Sequence, residues 1–262
     1  MPEVETYNSV TETPDTKATL EQLERMYSRY RFALDFCVGK DVLEVACGAG
    51  QGLGYISRIA KMVVGGDVDE KILDFARKSY SGNKKIEIQK IDAQDLLFEK
   101  ESFDVVILYE AIYYLSSPGK FINEALRVLK KQGKLIICTV NKEWPDFNPS
   151  PYSYKYFSAL ELSGMLKDNG FVDVALYGGS RVNAEGLKSK IISFIKRAAV
   201  FFNLMPKTMK GKQFFKRMFF GKLYPLPAEI QEGMAAYEEP VHLPLNAQSS
   251  IYKIIYAVAC KK

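Results

Sequence analysis

Asp41-Val42-Leu43-Glu44-Val45-Ala46-Cys47-Gly48-Ala49-Gly50-Gln51-Gly52 is the stretch whose reading decides the fold. It opens as a short apolar run, a strand over 41–46, and passes straight into a turn with glycine at 48, 50 and 52. Small residues at 46, 48 and 50 let the backbone come close to a ligand. Asp67 stands nineteen residues beyond Gly48, just after a second strand over 62–66. An acid in that place, one strand on from a glycine-rich turn, suits the hydroxyls of a ribose. Dinucleotide sites space their glycines G-x-G-x-x-G, whereas these fall as G-x-G-x-G. Glu44, inside the strand, would repel a pyrophosphate but suits an ammonium group.

Outward from this turn the chain alternates strands and helices. A helix with apolar spacing covers 20–36 and stops at Gly39, and a glycine-turn helix runs to about Lys61. A further helix over 69–80 leads to strands over 86–91 and 103–108. Pro118 opens the next helix, ended by Gly133, and a strand follows over 135–140. Ser158 and Glu161 form a capping box for a helix closed by Asn169-Gly170. Strands over 171–177 and 251–259 complete the pattern. Such alternation predicts an α/β fold: a mostly parallel sheet of seven strands with helices on both faces, its ligands at the carboxyl ends of the strands.

The chain resembles the class I S-adenosylmethionine-dependent methyltransferase family, a Rossmann-like fold whose last strand is antiparallel. The resemblance rests on Val42 to Gly50, on Val64-Gly65-Gly66-Asp67, on Asp92-Ala93, on Ser102-Phe103-Asp104-Val105-Val106 and on Arg127-Val128-Leu129-Lys130 with Gly133. It implies S-adenosylmethionine as cofactor. Glu44 then faces the methionine amino group, and Ala46, Cys47, Gly48 and Gly50 line the methionine and ribose. Asp67 bonds the ribose hydroxyls, Val68 packs on adenine with Asp92 and Ala93, and Tyr109 lies near the sulfonium. Arg29-Tyr30 resembles a pair in the family's N-terminal helix, over the cofactor. Some relatives carry E-x-x-E-H after the fourth strand; here Glu110 keeps the first acid, while Tyr113 and Tyr114 replace the E-H pair. A base at those two positions is therefore not implied.

The chain has 262 residues, and its four cysteines form no C-x-x-C pair, which suits a reducing compartment and gives no metal constellation. The polar tail over 1–17 has no signal or transit character, and no apolar run is long enough to span a membrane. A cytoplasmic protein is expected. Ten of the 36 Lys/Arg residues, and none of the 31 Asp/Glu residues, fall between 186 and 228. The rest of the chain carries a net charge of −5. This basic, phenylalanine-rich segment lies within an insert over 178–250, between strands six and seven of a methyltransferase domain over 18–262. It is expected to form a helical lid, or to rest peripherally on an anionic membrane. Nucleic acid is not an expected partner.

Two residues are candidates for the base that takes an acceptor proton: Glu110, and His242, the only histidine, expected on a loop of the insert above the cofactor. The loop Asn148-Pro149-Ser150-Pro151-Tyr152 is a candidate substrate contact. The leading expectation is methylation of a hydroxyl on a small molecule or sugar. An isoprenoid or lipid-linked acceptor is one alternative, and a cofactor-binding module without turnover is another.

Overall fold

The computed structural model describes residues 12–182, 222–244 and 249–262. Its main sheet has eight strands. β2 (Asp41–Val45), β3 (Met62–Asp67), β4 (Ile86–Lys90), β5 (Phe103–Tyr109) and β6 (Leu129–Val140) are mutually parallel. β10 (Tyr252–Cys260) runs antiparallel between β6 and β7 (Val172–Arg181), and β9 (Val241–Leu243) adds to the outer edge of β7. The order across the sheet is β4-β3-β2-β5-β6-β10-β7-β9. Successive connections turn outward in opposite directions from β2 and β5, which opens a crevice beyond their carboxyl ends.

Side-chain parity divides the core. Val42, Val105, Ile107, Tyr109, Ile136, Cys138, Ile254, Tyr256 and Val258 face one way. They are covered by α1 (Leu20–Cys37), α2 (Leu53–Ser57) and α3 (Glu70–Tyr80). Leu43, Val45, Val106, Leu108, Leu135, Ile137, Ile255 and Ala257 face the other way, under α4 (Pro118–Val128) and α5 (Ala159–Asp168). Strand side chains alternate, so Glu44 shares the α1 face with Val42. Its environment is decided by one residue of register.

Several boundaries differ from the sequence expectation. The helix after the glycine turn is a single short segment, because the Ile59 and Ala60 amides turn back onto the Ile56 carbonyl and the chain enters β3. Gly133 does not end α4 but lies inside β6, where a Cβ would sit 2.8 Å from the Lys130 carbonyl oxygen. The eighth strand is β9, in a stretch expected to be a loop. Among the described residues the insert is extended rather than helical: β8 (Tyr224–Pro225) pairs with β1 (Lys17–Ala18) in a second small sheet. Most of the basic segment, 183–221, lies outside the described residues.

At the amino ends of the strands the Lys130 ammonium contacts Asp41 at 2.8 Å and Asp104 at 3.0 Å, and the Asp104 carboxylate also accepts from the Asp41 amide. The bond from Lys130 holds the Asp41 carboxyl below its ordinary range. Burial works to raise the Asp104 carboxyl, but the Asp41 amide and Lys130 outweigh it and hold it low. The Asp104 and Lys130 positions of the family signatures thus tie β2, β5 and β6 together at the end opposite the crevice. Lys130→Met is expected to lower unfolding free energy by about 1–2 kcal/mol in urea at neutral pH. Both carboxyls are depressed in the folded state, so this contribution exists above the ordinary carboxylate range and is lost as pH falls through the folded values. The gap between wild type and variant should close in acid; a gap independent of pH would contradict the assignment.

Candidate active site

A cavity of about 830 Å³ opens over the carboxyl ends of β2 and β5. Of the residues singled out from the sequence, Tyr30, Glu44, Ala46, Cys47, Gly48, Asp67, Val68, Asp92, Ala93, Tyr109 and Glu110 all line it. Gly50 does not. It shapes the turn from behind, with φ +75°, and a Cβ there would sit 2.7 Å from the Ala76 methyl.

At the floor, Glu44 is 1% exposed. The Tyr30 hydroxyl donates to its Oε1 at 2.5 Å, while its Oε2 is buried with no partner among the described residues. Burial pushes the Glu44 carboxyl up to about 7, against the pull of the Tyr30 hydrogen bond and the Arg29 charge. Tyr30 is held in turn. Its ring meets Tyr109 edge-on, with centroids 5.3 Å apart, and the Tyr109 hydroxyl donates to the Arg29 carbonyl at 2.8 Å. Gly52 is the glycine that makes room: a Cβ there would lie 1.8 Å from the Tyr30 ring. The third glycine of G-x-G-x-G therefore serves Tyr30 packing.

Asp67 ends β3 and accepts backbone N–H groups through both oxygens, from Gly48 and from Asp69, each at 3.0 Å. Burial raises its pKa despite these bonds. Ala46 and Gly48 have φ of +55° and +56°, a left-handed backbone that turns the chain around the cavity floor. Gln51 is pinned from outside, its carbonyl accepting from the Ile230 amide at 2.8 Å and its side-chain amide donating to the Pro227 carbonyl at 3.1 Å.

Glu110 follows β5 with φ +52°, an uncommon conformation for a residue with a side chain. Burial raises its carboxyl, partly offset by the charges of Arg29 and Arg25 and by the Tyr113 hydroxyl, which donates at 3.0 Å. Beside it stands an aromatic wall. Tyr113 stacks on Tyr156 with centroids 4.4 Å apart, contacts Tyr114 at 4.6 Å, and shares the cavity lining with Tyr114 and Tyr154. The loop 148–152 supports this wall: the Ser150 amide donates to the Tyr156 hydroxyl, while Pro149 and Tyr152 stay off the lining.

His242 is not brought to this cavity. It lies on β9, exposed and paired with Tyr177, with four strand spacings between it and Tyr109 at the same level, roughly 19 Å. The expectation of a loop above the cofactor is corrected by that pairing, because 241–243 alternates well enough to extend the edge of β7. Sequence reasoning also missed Glu12, Gln22, Arg25 and Gln51 on the lining. Gln22, Arg25 and Arg29 recur at helical spacing on α1, a signal that was available. Glu12 falls in the stretch expected to be a polar tail; it is carried in by the β1–β8 pairing, a contact across some two hundred residues that no local pattern announces.

Residues 43–137 match the family described as a methyltransferase domain. The matched stretch runs from β2 into β6 and holds the glycine turn, Asp67 and Glu110. A probable S-adenosylmethionine-dependent methyltransferase of Mycobacterium tuberculosis is 33% identical over 148 residues, 54% of this chain and 52% of that protein. A ubiquinone biosynthesis O-methyltransferase of Bartonella tribocorum is 29% identical over 104 residues, 39% of this chain and 42% of its own length. The chain thus spans about half the length of these curated relatives or less. Among solved structures, a Haemonchus contortus phosphoethanolamine N-methyltransferase shares the fold at a TM-score of 0.55 and 16% identity, covering 91% of this chain and 52% of that one. Within the described residues of the methyltransferase domain no cluster of metal-ligating side chains occurs, the four cysteines are buried and free, and no helix is long and apolar enough to cross a membrane.

The packing of the glycine turn yields a direct check. Gly52→Ala is expected to cost about 1–3 kcal/mol, since the Tyr30 ring must move from its place against Glu44. Gly82→Ala, where a Cβ meets nothing within 4 Å, should be close to neutral. Equal unfolding midpoints for the two variants would contradict this account of the turn.

Proposed function

We propose that this chain transfers a methyl group from S-adenosylmethionine to a hydroxyl of a small-molecule acceptor, with Glu110 receiving the hydroxyl proton. The observation that carries the reading is the Oε2 atom of Glu44, a buried carboxylate oxygen at the cavity without a partner among the described residues. An unpaired buried oxygen is costly, and a ligand ammonium supplies what it lacks. The other residues fit the same ligand. Asp67 keeps a lone pair on each oxygen for ribose hydroxyls, and Val68, Ile91 and Ala93 offer apolar surface to an adenine. The edge-on pair of Tyr30 and Tyr109 favours a neighbouring cation.

When bound, S-adenosylmethionine supplies a methyl carbon activated by the sulfonium, so the protein's own work is orientation and proton removal. Glu110 suits the second task. It is buried at the cavity, its raised pKa makes it a stronger base than a solvated carboxylate, and Tyr113 fixes its direction. The printed name of the Bartonella relative, an O-methyltransferase, supports a hydroxyl acceptor. A sugar acceptor rests on the resemblance of 148–171 and 207–225 to methyltransferases of bacterial glycan synthesis, and a lipid-linked acceptor or contact with an anionic membrane on the basic segment, which falls mostly outside the described residues.

Three variants separate these roles. Asp67→Ala should weaken S-adenosylhomocysteine binding by about 1–3 kcal/mol in calorimetry; unchanged affinity, or a preference for NADH, would overturn the cofactor assignment. Glu110→Gln should lower kcat about 10²–10⁴-fold with cofactor affinity retained. His242→Ala should turn over at the wild-type rate, and a large loss there would return the base to His242. Affinity for the cofactor should also decline as pH falls through about 7, where the Glu44 carboxyl gains a proton. A flat profile from pH 5 to 8 would be inconsistent with an ammonium held by that carboxylate.

A further inference from the structure

The loop from Glu110 to Ser117 carries the proposed base and two tyrosines of the wall, and hydrogen bonds hold it at three points. The Glu110 amide donates to the Cys138 carbonyl at 2.8 Å, and the Tyr113 carbonyl accepts from the Tyr154 amide at 2.8 Å. The third hold comes from the loop after β4. The Gln94 side-chain oxygen accepts from the Ser117 amide at 2.8 Å and from the Ser116 hydroxyl at 3.1 Å, which uses both of its lone pairs. Gln94 follows Ala93 and lines the cavity, as Ser116 does, so the bridge joins the end assigned to adenine to the loop that carries the wall.

The turn that carries Gln94 is otherwise bonded to itself. The Asp92 carboxylate accepts from the Gln94 amide at 2.9 Å, the Asp92 carbonyl accepts from the Asp95 amide at 3.1 Å, and both aspartates are exposed. Among the described residues, the hydrogen bonds that leave 92–95 are the two made by the Gln94 side chain. Farther along, at Leu96 and Phe98, the same stretch is fixed to α4 by Glu124 and Arg127. A ligand resting on Asp92 and Ala93 therefore stiffens the part of this stretch that is least tied to the rest of the protein. Gln94 carries that stiffness to the loop 110–117.

We propose that Gln94 is a positioning residue that links the cofactor's adenine to the acceptor wall, so that the loop bearing Glu110, Tyr113 and Tyr114 is held firmly once the cofactor is in place. This rests on the methyltransferase reading and gives its site an order, cofactor before acceptor. Tyr113 is the member of the loop through which the link acts. Its hydroxyl directs Glu110 at 3.0 Å, and its ring stacks on Tyr156. A loop that yields at 116–117 lets that ring move, and the direction of Glu110 moves with it. The first ligand thus meets part of the ordering cost that the second would otherwise carry.

The test is hydrogen–deuterium exchange at the amides of 114–117, in the protein alone and saturated with S-adenosylhomocysteine or with methylthioadenosine. Both ligands carry adenine, so both should slow exchange there about fivefold or more, the factor that one hydrogen bond of ordinary strength sets on a local opening. Gln94→Glu keeps an acceptor for both donors and should keep most of the protection. Gln94→Met keeps the length of the side chain without the acceptor, and its 114–117 amides should exchange at the same rate with and without ligand. Ser116→Ala, which removes one of the two bonds from the other side, should lose part of the protection. Retained S-adenosylhomocysteine binding shows that the variants fold. Four results overturn the proposal while the methyltransferase reading stands: no slowing in the wild type, slowing by S-adenosylhomocysteine but not by methylthioadenosine, undiminished slowing in Gln94→Met, or loss of cofactor binding in Gln94→Met, which would make Gln94 a direct cofactor contact. Failure of the wild type to bind S-adenosylhomocysteine overturns that reading, and the proposal with it.

Discussion

A carboxylate shut away from water with only one of its two oxygens satisfied is the constraint around which the site is built. Glu44 sits under α1, and among the described residues its one hydrogen-bond partner is the Tyr30 hydroxyl. Leaving the second oxygen without a hydrogen bond costs on the order of 1–3 kcal/mol, more for a charged group. Burial answers by raising the pKa to about 7, so that the empty site shares the group between charged and neutral forms. Folding alone gains nothing from such an arrangement. A cationic ligand gains a great deal, because the desolvation has already been met when it arrives.

Much of the surrounding structure serves to hold that carboxylate in place. β2 lies between β3 and β5, so its register is fixed from both sides. A slip of one residue would carry Glu44 to the α4 face, among Leu43 and Val45. The Asp41–Lys130–Asp104 cluster locks the far end of the same strands. Gly52 clears space for Tyr30, and the segment 226–234 braces the turn from outside through Gln51, while its Glu232 accepts from Tyr27 and Tyr55. The end of the fold away from the cavity carries stability, and the end at the cavity carries strained backbone at Ala46 and Glu110.

The sequence was legible wherever signals were local. The glycine turn, the acid after β3, the capping box at Ser158 and the alternation of strands all follow from neighbouring residues; it was the family resemblance built on them that singled out the eleven residues found on one cavity. What escaped was set by distant pairing. Glu12 reaches the lining because β1 meets β8, and His242 leaves it because β9 joins the edge of β7. Neither partner is visible in the local pattern. The third glycine was legible as a turn but not as a seat for Tyr30, because that contact depends on how α1 crosses the sheet. Arg25 was readable from helical spacing, yet a charged residue on a helix reads first as solvated.

The most direct measurement of the central claim pairs a change in Glu44 with a change in the ligand. S-adenosylhomocysteine carries the amino-acid moiety, and methylthioadenosine presents the same nucleoside without it. If Glu44 holds the ammonium, Glu44→Gln should weaken S-adenosylhomocysteine about 10–100-fold by calorimetry and leave methylthioadenosine nearly unaffected, giving a coupling of about 1.4–2.8 kcal/mol between the two groups. Equal losses for both ligands, or no loss for either, would mean that the unpaired oxygen of Glu44 does not receive the ligand's charge.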